Sequence, residues 1–403
     1  MNPIVAIVGT LDTKGDEVEF LKNELLNHNC STTVIDVGTL YPPKCESDIS
    51  RVEVALAAGT TIESIRLQGA RRNAVESMIA GASCVVRQLY DVGRLTGIIS
   101  VGGGTGTHIG MGVMRSLPLG VPKFMVSTVA SRDMTKLVGT KDITVMHSVV
   151  DILGINPISR KILSNAASAV AGMVFNEENI HSEKPIVGLT SFGFITKGAM
   201  NVKAGLEKRG YEVAPFHANG IGGMAMEDLI EQGLINAVVD FALHEFADSL
   251  YGGYCGAIGP NRLETAGLLG LPQVVVPGGL DCIVMEFDSM ETIPSHLKDR
   301  AVFWYDFRSG VRTSSKDMVT LAGIISEKLN LSKGPTKVVI PVEGFSEADA
   351  VGEPLHDVIS NQIFISELKS RLDSRIEVIE LPSHINDEDF AEGVVRILDS
   401  IMK

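Results

Sequence analysis

The residues best suited to chemistry are Val101-Gly102-Gly103-Gly104-Thr105-Gly106-Thr107-His108-Ile109-Gly110, directly after the apolar run GIISV. Glycine permits close backbone approach, threonine adds hydroxyl donors, and successive N–H groups at a strand-to-helix turn form a nest for phosphate. The run lacks GxGxxG and the Gly-Lys-Ser/Thr ending of a P-loop. A dinucleotide enzyme and a P-loop ATPase are therefore disfavoured, and a tight turn without ligand is the plain alternative.

Gly9, Thr10, Asp12, Thr13 and Lys14 follow another apolar run, Ile4 to Val8. In a parallel sheet the two loops face one crevice if their strands flank the switch point. Lys14 then offsets phosphate charge, and Asp12 orients Mg²⁺ or bonds a hydroxyl. Otherwise Asp12 or Thr13 caps a helix and Lys14 is solvated. Ser127, Thr128, Ser131, Arg132 and Asp133 either close the same pocket or form a surface turn; Asp142, His147 and Asp151 make a further polar group. In the second half, glycine loops lie near 193, 220, 252 and 278, and Glu245, Arg262 and Asp281 are expected near a substrate. Nine histidines give no HExxH pattern, and no catalytic triad is readable from separated residues.

These loops need elements to hold them. The 403 residues suit two domains. The polar stretch NEENIHSEKP marks the boundary, giving residues 1–180 and 181–403. Strands are expected near 4–8, 33–37, 97–101, 123–128 and 143–145, then near 186–190, 212–216, 237–240, 273–276, 301–305, 337–341 and 375–379. Helices are expected at 17–26, 50–59, 69–81, 159–175, 201–210 and 226–231. Non-alternating apolar strands separated by helices imply α/β architecture, two doubly wound, mostly parallel-sheet domains with an interdomain cleft. GTLDTKG and TSFGFITKG, each after a first strand, share Thr-Lys and hint at pseudo-repetition.

A formal charge of −14 argues against a nucleic-acid partner or an anionic membrane surface. No apolar run has the length of a membrane span, and the N-terminus lacks a signal-peptide pattern. Five scattered cysteines read as reduced thiols, so a cytoplasmic location is expected. The low charged fraction and the small residues of 55–59 and 166–172 suggest a homodimer.

GTLDTKG at 9–15, SVGGGTGT at 100–107, SVVDILGIN at 148–156, GGYCGAIGPNRLETAG at 252–267, VVVPGGLD at 274–281, PVEGFSEADAVGEP at 341–354 and HINDEDFAEG at 384–393 occur in order along the chain. With these segments the chain resembles the Tm-1-like ATP-binding family over essentially its whole length. The resemblance implies ATP in the N-terminal domain, with Gly9, Thr10, Asp12, Thr13, Lys14 and Gly102, Gly103, Gly104, Thr105, Gly106 and Thr107 as nucleotide contacts. Plant members fuse this region to a phosphoenolpyruvate-mutase-like barrel, which implies a separately encoded small-molecule enzyme as a partner here. Ser131-Arg132-Asp133 and Trp304-Tyr305-Asp306 depart from the family pattern. Three functions stay open: ATP binding coupled to closure or small-molecule metabolism, a small-carboxylate or sugar-acid enzyme without ATP hydrolysis, and a non-catalytic nucleotide-responsive binding module.

Overall fold

The computed structural model describes residues 2–402 other than 68–70, 177, 179, 181 and 288. The chain divides into two compact units, Met1–Ile180 and His181–Lys403. The first contains β1 (Ile4–Gly9), α1 (Leu11–Asn27), β2 (Ser31–Asp36), α2 (Arg51–Ala57), α3 (Ile62–Leu67), α4 (Arg71–Asp91), β3 (Gly97–Gly102), α5 (Gly104–Met114), β4 (Lys123–Ser127), α6 (Thr135–Val138), β5 (Ile143–His147) and α7 (Pro157–Val174). Its sheet runs β2-β1-β3-β4-β5, and every pairing is parallel.

Side-chain alternation divides this sheet between two cores. Val5, Ile7, Ile99 and Val101 pack with Val18, Leu21 and Leu163 beneath α1 and α7. Ala6, Val8 and Ile98 pack with Met78, Ala82 and Met111 beneath α4 and α5. Helices therefore cover both faces, as the unbroken apolar strands require.

The second unit contains β6 (Ile186–Ser191), α8 (Thr196–Lys208), β7 (Glu212–His217), α9 (Gly222–Glu231), β8 (Ala237–Asp240), α10 (His244–Tyr251), α11 (Thr265–Leu268), β9 (Gln273–Val275), β10 (Cys282–Met285), β11 (Val302–Trp304), β12 (Ser309–Arg312), α12 (Ser315–Leu329), β13 (Thr336–Pro341), α13 (Val358–Arg371), β14 (Glu377–Leu381) and α14 (Glu388–Ile401). Six strands form a parallel sheet, β14-β13-β9-β8-β6-β7. Read from its β7 edge, the first five strands follow the same 2-1-3-4-5 order as the first unit. The shared architecture is real, yet the Thr-Lys pairs are not equivalent within it. Each first helix is broken near its start by one non-helical residue, Lys14 (φ −126°, ψ 21°) after the opening turn of α1 and Ile195 (φ −126°, ψ 12°) at the N-cap of α8. Thr13-Lys14 thus reaches the break, whereas Thr196-Lys197 follows it.

Three differences from the sequence expectations have physical causes. Helix α7 starts at Pro157 because Asn156 accepts from the N–H groups of Ile158 and Ser159 in a capping box. An antiparallel sheet, β10-β12-β11, interrupts the parallel series; β11 falls within the strand expected near 301–305, whereas β10 and β12, of four residues each, are too short for a periodic signal. Helix α4 continues past Gly81, which had marked its end, because that glycine is where α2 crosses. A Cβ there would lie 1.9 Å from the Val54 carbonyl oxygen. Among the described residues no helix is long and apolar enough to cross a membrane. Ala166, Ala167, Val170 and Ala171 are buried in their own unit's core, which leaves these residues no part in a subunit contact.

The Gly81 crossing gives a direct test. Helix propensity alone favours alanine over glycine by about 1 kcal/mol. Overpacking of this severity outweighs that gain, so Gly81→Ala is expected to destabilise by about 1–3 kcal/mol net in urea unfolding.

Candidate functional site

Connections leave β1 and β2 on opposite faces of the first sheet, so α1 and α5 start at the same gap, outside the carboxyl ends of β1 and β3. This gap is the topological switch point of a 2-1-3-4-5 sheet. A cavity of about 1050 Å³ occupies it. Thr10, Asp12, Thr13 and Lys14 line one side and Gly103, Gly104, Thr105 and Gly106 another, so the two glycine- and threonine-rich segments share one site. They are the first turns of helices rather than free loops, since α1 already begins at Leu11 and α5 at Gly104. Neither helix has a side-chain N-cap, although in α1 the Leu11 N–H is taken by Asp36 and the Thr13 N–H by the Thr10 carbonyl. Both positive helix ends thus meet at the cavity.

The glycines fall into two kinds. A Cβ on Gly9 would strike Val18 at 2.6 Å, and one on Gly102 would lie 2.7 Å from the Gly106 Cα. These two glycines permit strand–helix contact and do not line the cavity. A Cβ on Gly104 would meet no atom within 4 Å, so the protein's own packing does not demand glycine there. Thr107 is buried, its hydroxyl bonded to Ser127 Oγ at 2.7 Å, and it joins α5 to β4 instead of facing the cavity.

Asp12 is buried, and its Oδ2 accepts from the N–H groups of Leu40 (2.9 Å) and Tyr41 (3.3 Å). It therefore fixes the loop after β2 as one wall of the cavity. Asp36, at the end of β2, accepts from Leu11 N–H, Gly38 N–H and Arg51 Nε. Lys14, Lys44 and Arg66 also line the cavity, giving three cations against the single carboxylate of Asp12. Arg66 is held at the wall by a 2.7 Å bond from Nε to the Thr39 carbonyl. Away from the charges the lining is apolar: Val37, Ile65, Ala74, Val75, Met78 and Ile109. The arrangement suits a ligand with an anionic end and a flat apolar end.

Other residues singled out in the sequence lie elsewhere. Ser131, Arg132 and Asp133 occupy an exposed turn in which Asp133 accepts from Thr135 N–H, and His147 is exposed. Asp142 pairs with the buried Lys123 at 2.7 Å. Asp151 accepts from Ile152 N–H. Among the described residues no group of three or more His, Cys, Asp or Glu side chains forms a metal cluster.

In the second unit Arg262 is fully buried. Nε donates to Glu245 (2.7 Å), Nη2 to Asp240 (2.7 Å) and to the Ala242 carbonyl (3.2 Å), and Nη1 to Asp240 and Glu227. No guanidinium nitrogen is left to hold a substrate anion. Glu245 also accepts from Gly220 N–H, tying the loop after β7 to α10. Burial raises the Glu227 carboxyl while Arg262 opposes it. Asp281 is likewise enclosed, with Ser346 donating to Oδ2 at 2.7 Å. Glu245 and Arg262 are thus buried supports engaged by the protein, whereas the buried Oδ1 of Asp281 has no hydrogen-bond partner among the described residues.

The two halves match the N-terminal domain (residues 3–179) and the C-terminal domain (residues 184–402) of the uncharacterised protein family UPF0261. The chain belongs to this family. It is 42% identical to a UPF0261 protein of Clostridium tetani, over 100% of both chains. It is 34% identical to one of Brucella suis, over 99% of this chain and 95% of that one. It is 35% identical to the ToMV resistance protein Tm-1(GCR237) of Solanum lycopersicum over 98% of its own length, which spans 55% of the tomato protein.

In this UPF0261 chain the cavity also uses residues not singled out from sequence: Thr39, Leu40, Tyr41, Lys44, Arg66 and Leu153. The signal available for the first four is strand order. A parallel β1–β2 pair places the loop after β2 beside the loop after β1.

Two outcomes follow from the buried charges of the second unit. Arg262→Met leaves three carboxylates without their cation and is expected to cost about 3–5 kcal/mol in urea unfolding. Burial raises Asp281 from 3.8 to about 7, with the Asp349 carboxylate adding to the effect, and burial raises Asp248 from 3.8 to about 8. Between those limits the folded chain keeps protons that the unfolded chain has released, so stability from these groups falls as pH rises and levels off above the folded values. Urea midpoints at pH 5 and pH 8 should show this decline, and a Asp248→Asn/Asp281→Asn double variant should flatten it.

Proposed function

We propose that the N-terminal unit binds ATP in the cavity at its switch point. The supporting observation is the meeting there of two helix N-termini from opposite faces of the sheet, with Lys14, Lys44 and Arg66 around them. In a chain of formal charge −14, that local excess of positive groups favours a polyphosphate. Gly103, Gly104 and Gly106 leave room for phosphate oxygens to approach backbone N–H groups. The apolar wall around Val75, Met78 and Ile109 suits a nucleobase. The preference for ATP over another triphosphate rests on the resemblance to the Tm-1-like ATP-binding family.

Asp12 suits Mg²⁺ that arrives with the nucleotide. Its Oδ2 is engaged by backbone N–H groups, so Oδ1, which lies next to Gly38, is the atom it would offer. Bound Mg²⁺ would neutralise phosphate charge, and phosphate oxygens and water would supply most of its coordination. The protein's own groups bind and orient: helix ends fix the phosphates and Asp12 keeps the β2 loop in place.

Isothermal titration of the full chain with ATP, with adenosine as control, tests the reading. ATP should bind measurably tighter than adenosine, with the difference shrinking as salt rises. Gly104→Ala places a Cβ where no protein atom lies within 4 Å, and should weaken ATP by about tenfold or more, roughly 1.4 kcal/mol, with little change in thermal stability. Failure of folded protein to bind ATP would reject the proposal.

A further inference from the structure

The segment 148–156, SVVDILGIN, carries a backbone feature that the nucleotide reading does not use. Val149 has φ +62°. A β-branched residue rarely adopts that conformation, because its Cβ crowds the backbone. The Val150 N–H donates to the Ser148 carbonyl at 2.6 Å, closing a three-residue turn around Val149. With a positive φ at its centre, this is the strained form of the γ-turn. The Ser148 hydroxyl reinforces it by donating to the Val150 carbonyl at 2.7 Å. Val149 and Leu153 are nevertheless 69% and 76% exposed, so burial of their side chains does not hold the segment in place.

The buried Ile152 side chain, a bond from Ser148 N–H to the Ser127 carbonyl (3.0 Å) and contacts with α1 hold it. Gly154 N–H donates to the buried Glu17 at 2.7 Å, and the Lys14 ammonium donates to the Ile152 carbonyl. Lys14 is also the one residue of α1 outside helical geometry, and its side chain lines the cavity together with Leu153. The ammonium that tethers the strained segment is therefore one of the cations facing the phosphate end.

We propose that polyphosphate in the cavity draws the Lys14 ammonium from the Ile152 carbonyl and so releases the 148–156 segment, making this segment the output of nucleotide occupancy. The inference rests on the ATP reading above. Phosphate oxygens carry charge and the Ile152 carbonyl does not, and hydrogen bonds between two charged groups are the stronger kind. Once that tether is lost, the strained turn is kept by its local bonds, the Glu17 contact, the Ser148 N–H bond to the Ser127 carbonyl and the burial of Ile152, so the loosening centres on Val149 and on Leu153, whose side chains are exposed. Release would alter the surface presented by Val149 and Leu153.

Hydrogen exchange of the full chain, alone and with ATP or adenosine, reads this directly. With ATP, amides of 148–156 should exchange faster by about threefold or more, while those of 103–107 slow. Adenosine should not speed the segment. Lys14→Met should show fast exchange at 148–156 without nucleotide and no further rise with ATP, whereas Lys14→Arg should keep the nucleotide response. ATP that binds by calorimetry and slows 103–107 but leaves 148–156 unchanged would overturn the relay and spare the ATP reading. Folded Lys14→Met with wild-type exchange in the segment would also overturn the relay, and absence of ATP binding would overturn both. Should Lys14→Met fail to fold, the wild-type exchange comparison still decides.

Discussion

Everything at the candidate site depends on the reversal of strand order between β1 and β3. Parallel pairing fixes both strands with their carboxyl ends on one edge, and the intervening chain must then cover opposite faces of the sheet. Two helices consequently begin beside each other, and each turns its positive N-terminal end to the gap. The glycines make this contact close enough to be useful. Gly9 and Gly102 let strand and helix approach, while Gly104 leaves space that the protein does not fill. Cations on three separate elements, at Lys14, Lys44 and Arg66, then bias that space toward anions.

The second unit repeats the strand order but invests its charges differently. Arg262 gathers Asp240, Glu245 and Glu227 inside the protein, where each group has lost its water and depends on the others. Such a network specifies geometry, and its donors are consumed in doing so. Its members come from α9, β8, α10 and the segment before α11. The network therefore fixes how those elements meet, and a residue type suited to binding anions serves the fold.

The fold was largely legible because buried parallel strands announce themselves as unbroken apolar runs. The order of the strands was not, since pairing is a long-range choice that short windows do not record. That is why the Gly-rich segment was found from its residues, whereas Tyr41, Lys44 and Arg66 needed the sheet. Arg262 and Asp281 illustrate the opposite difficulty. Polar residues after glycine loops look alike in sequence whether they face solvent or lie enclosed, and only burial and partner geometry separate the two. Of the short antiparallel strands only β11 falls within an expected strand, while β10 and β12 carry no periodic signal, and α7 starts earlier than its periodicity indicates because Asn156 and Pro157 act through backbone capping.

Asp36 carries a consequence for the history open to this scaffold. In dinucleotide enzymes, whose sheet has the different order 3-2-1-4-5-6, an acidic residue about 20 residues beyond the glycine motif is kept for the ribose hydroxyls. Here the acid at the end of β2 is bound by Leu11, Gly38 and Arg51, which stitch the start of α1 to the β2 loop and α2. Freeing it for a sugar would unfasten the wall that shapes the cavity. Recruiting Asp36 to a ligand hydroxyl would thus require another fastening between the start of α1, the β2 loop and α2.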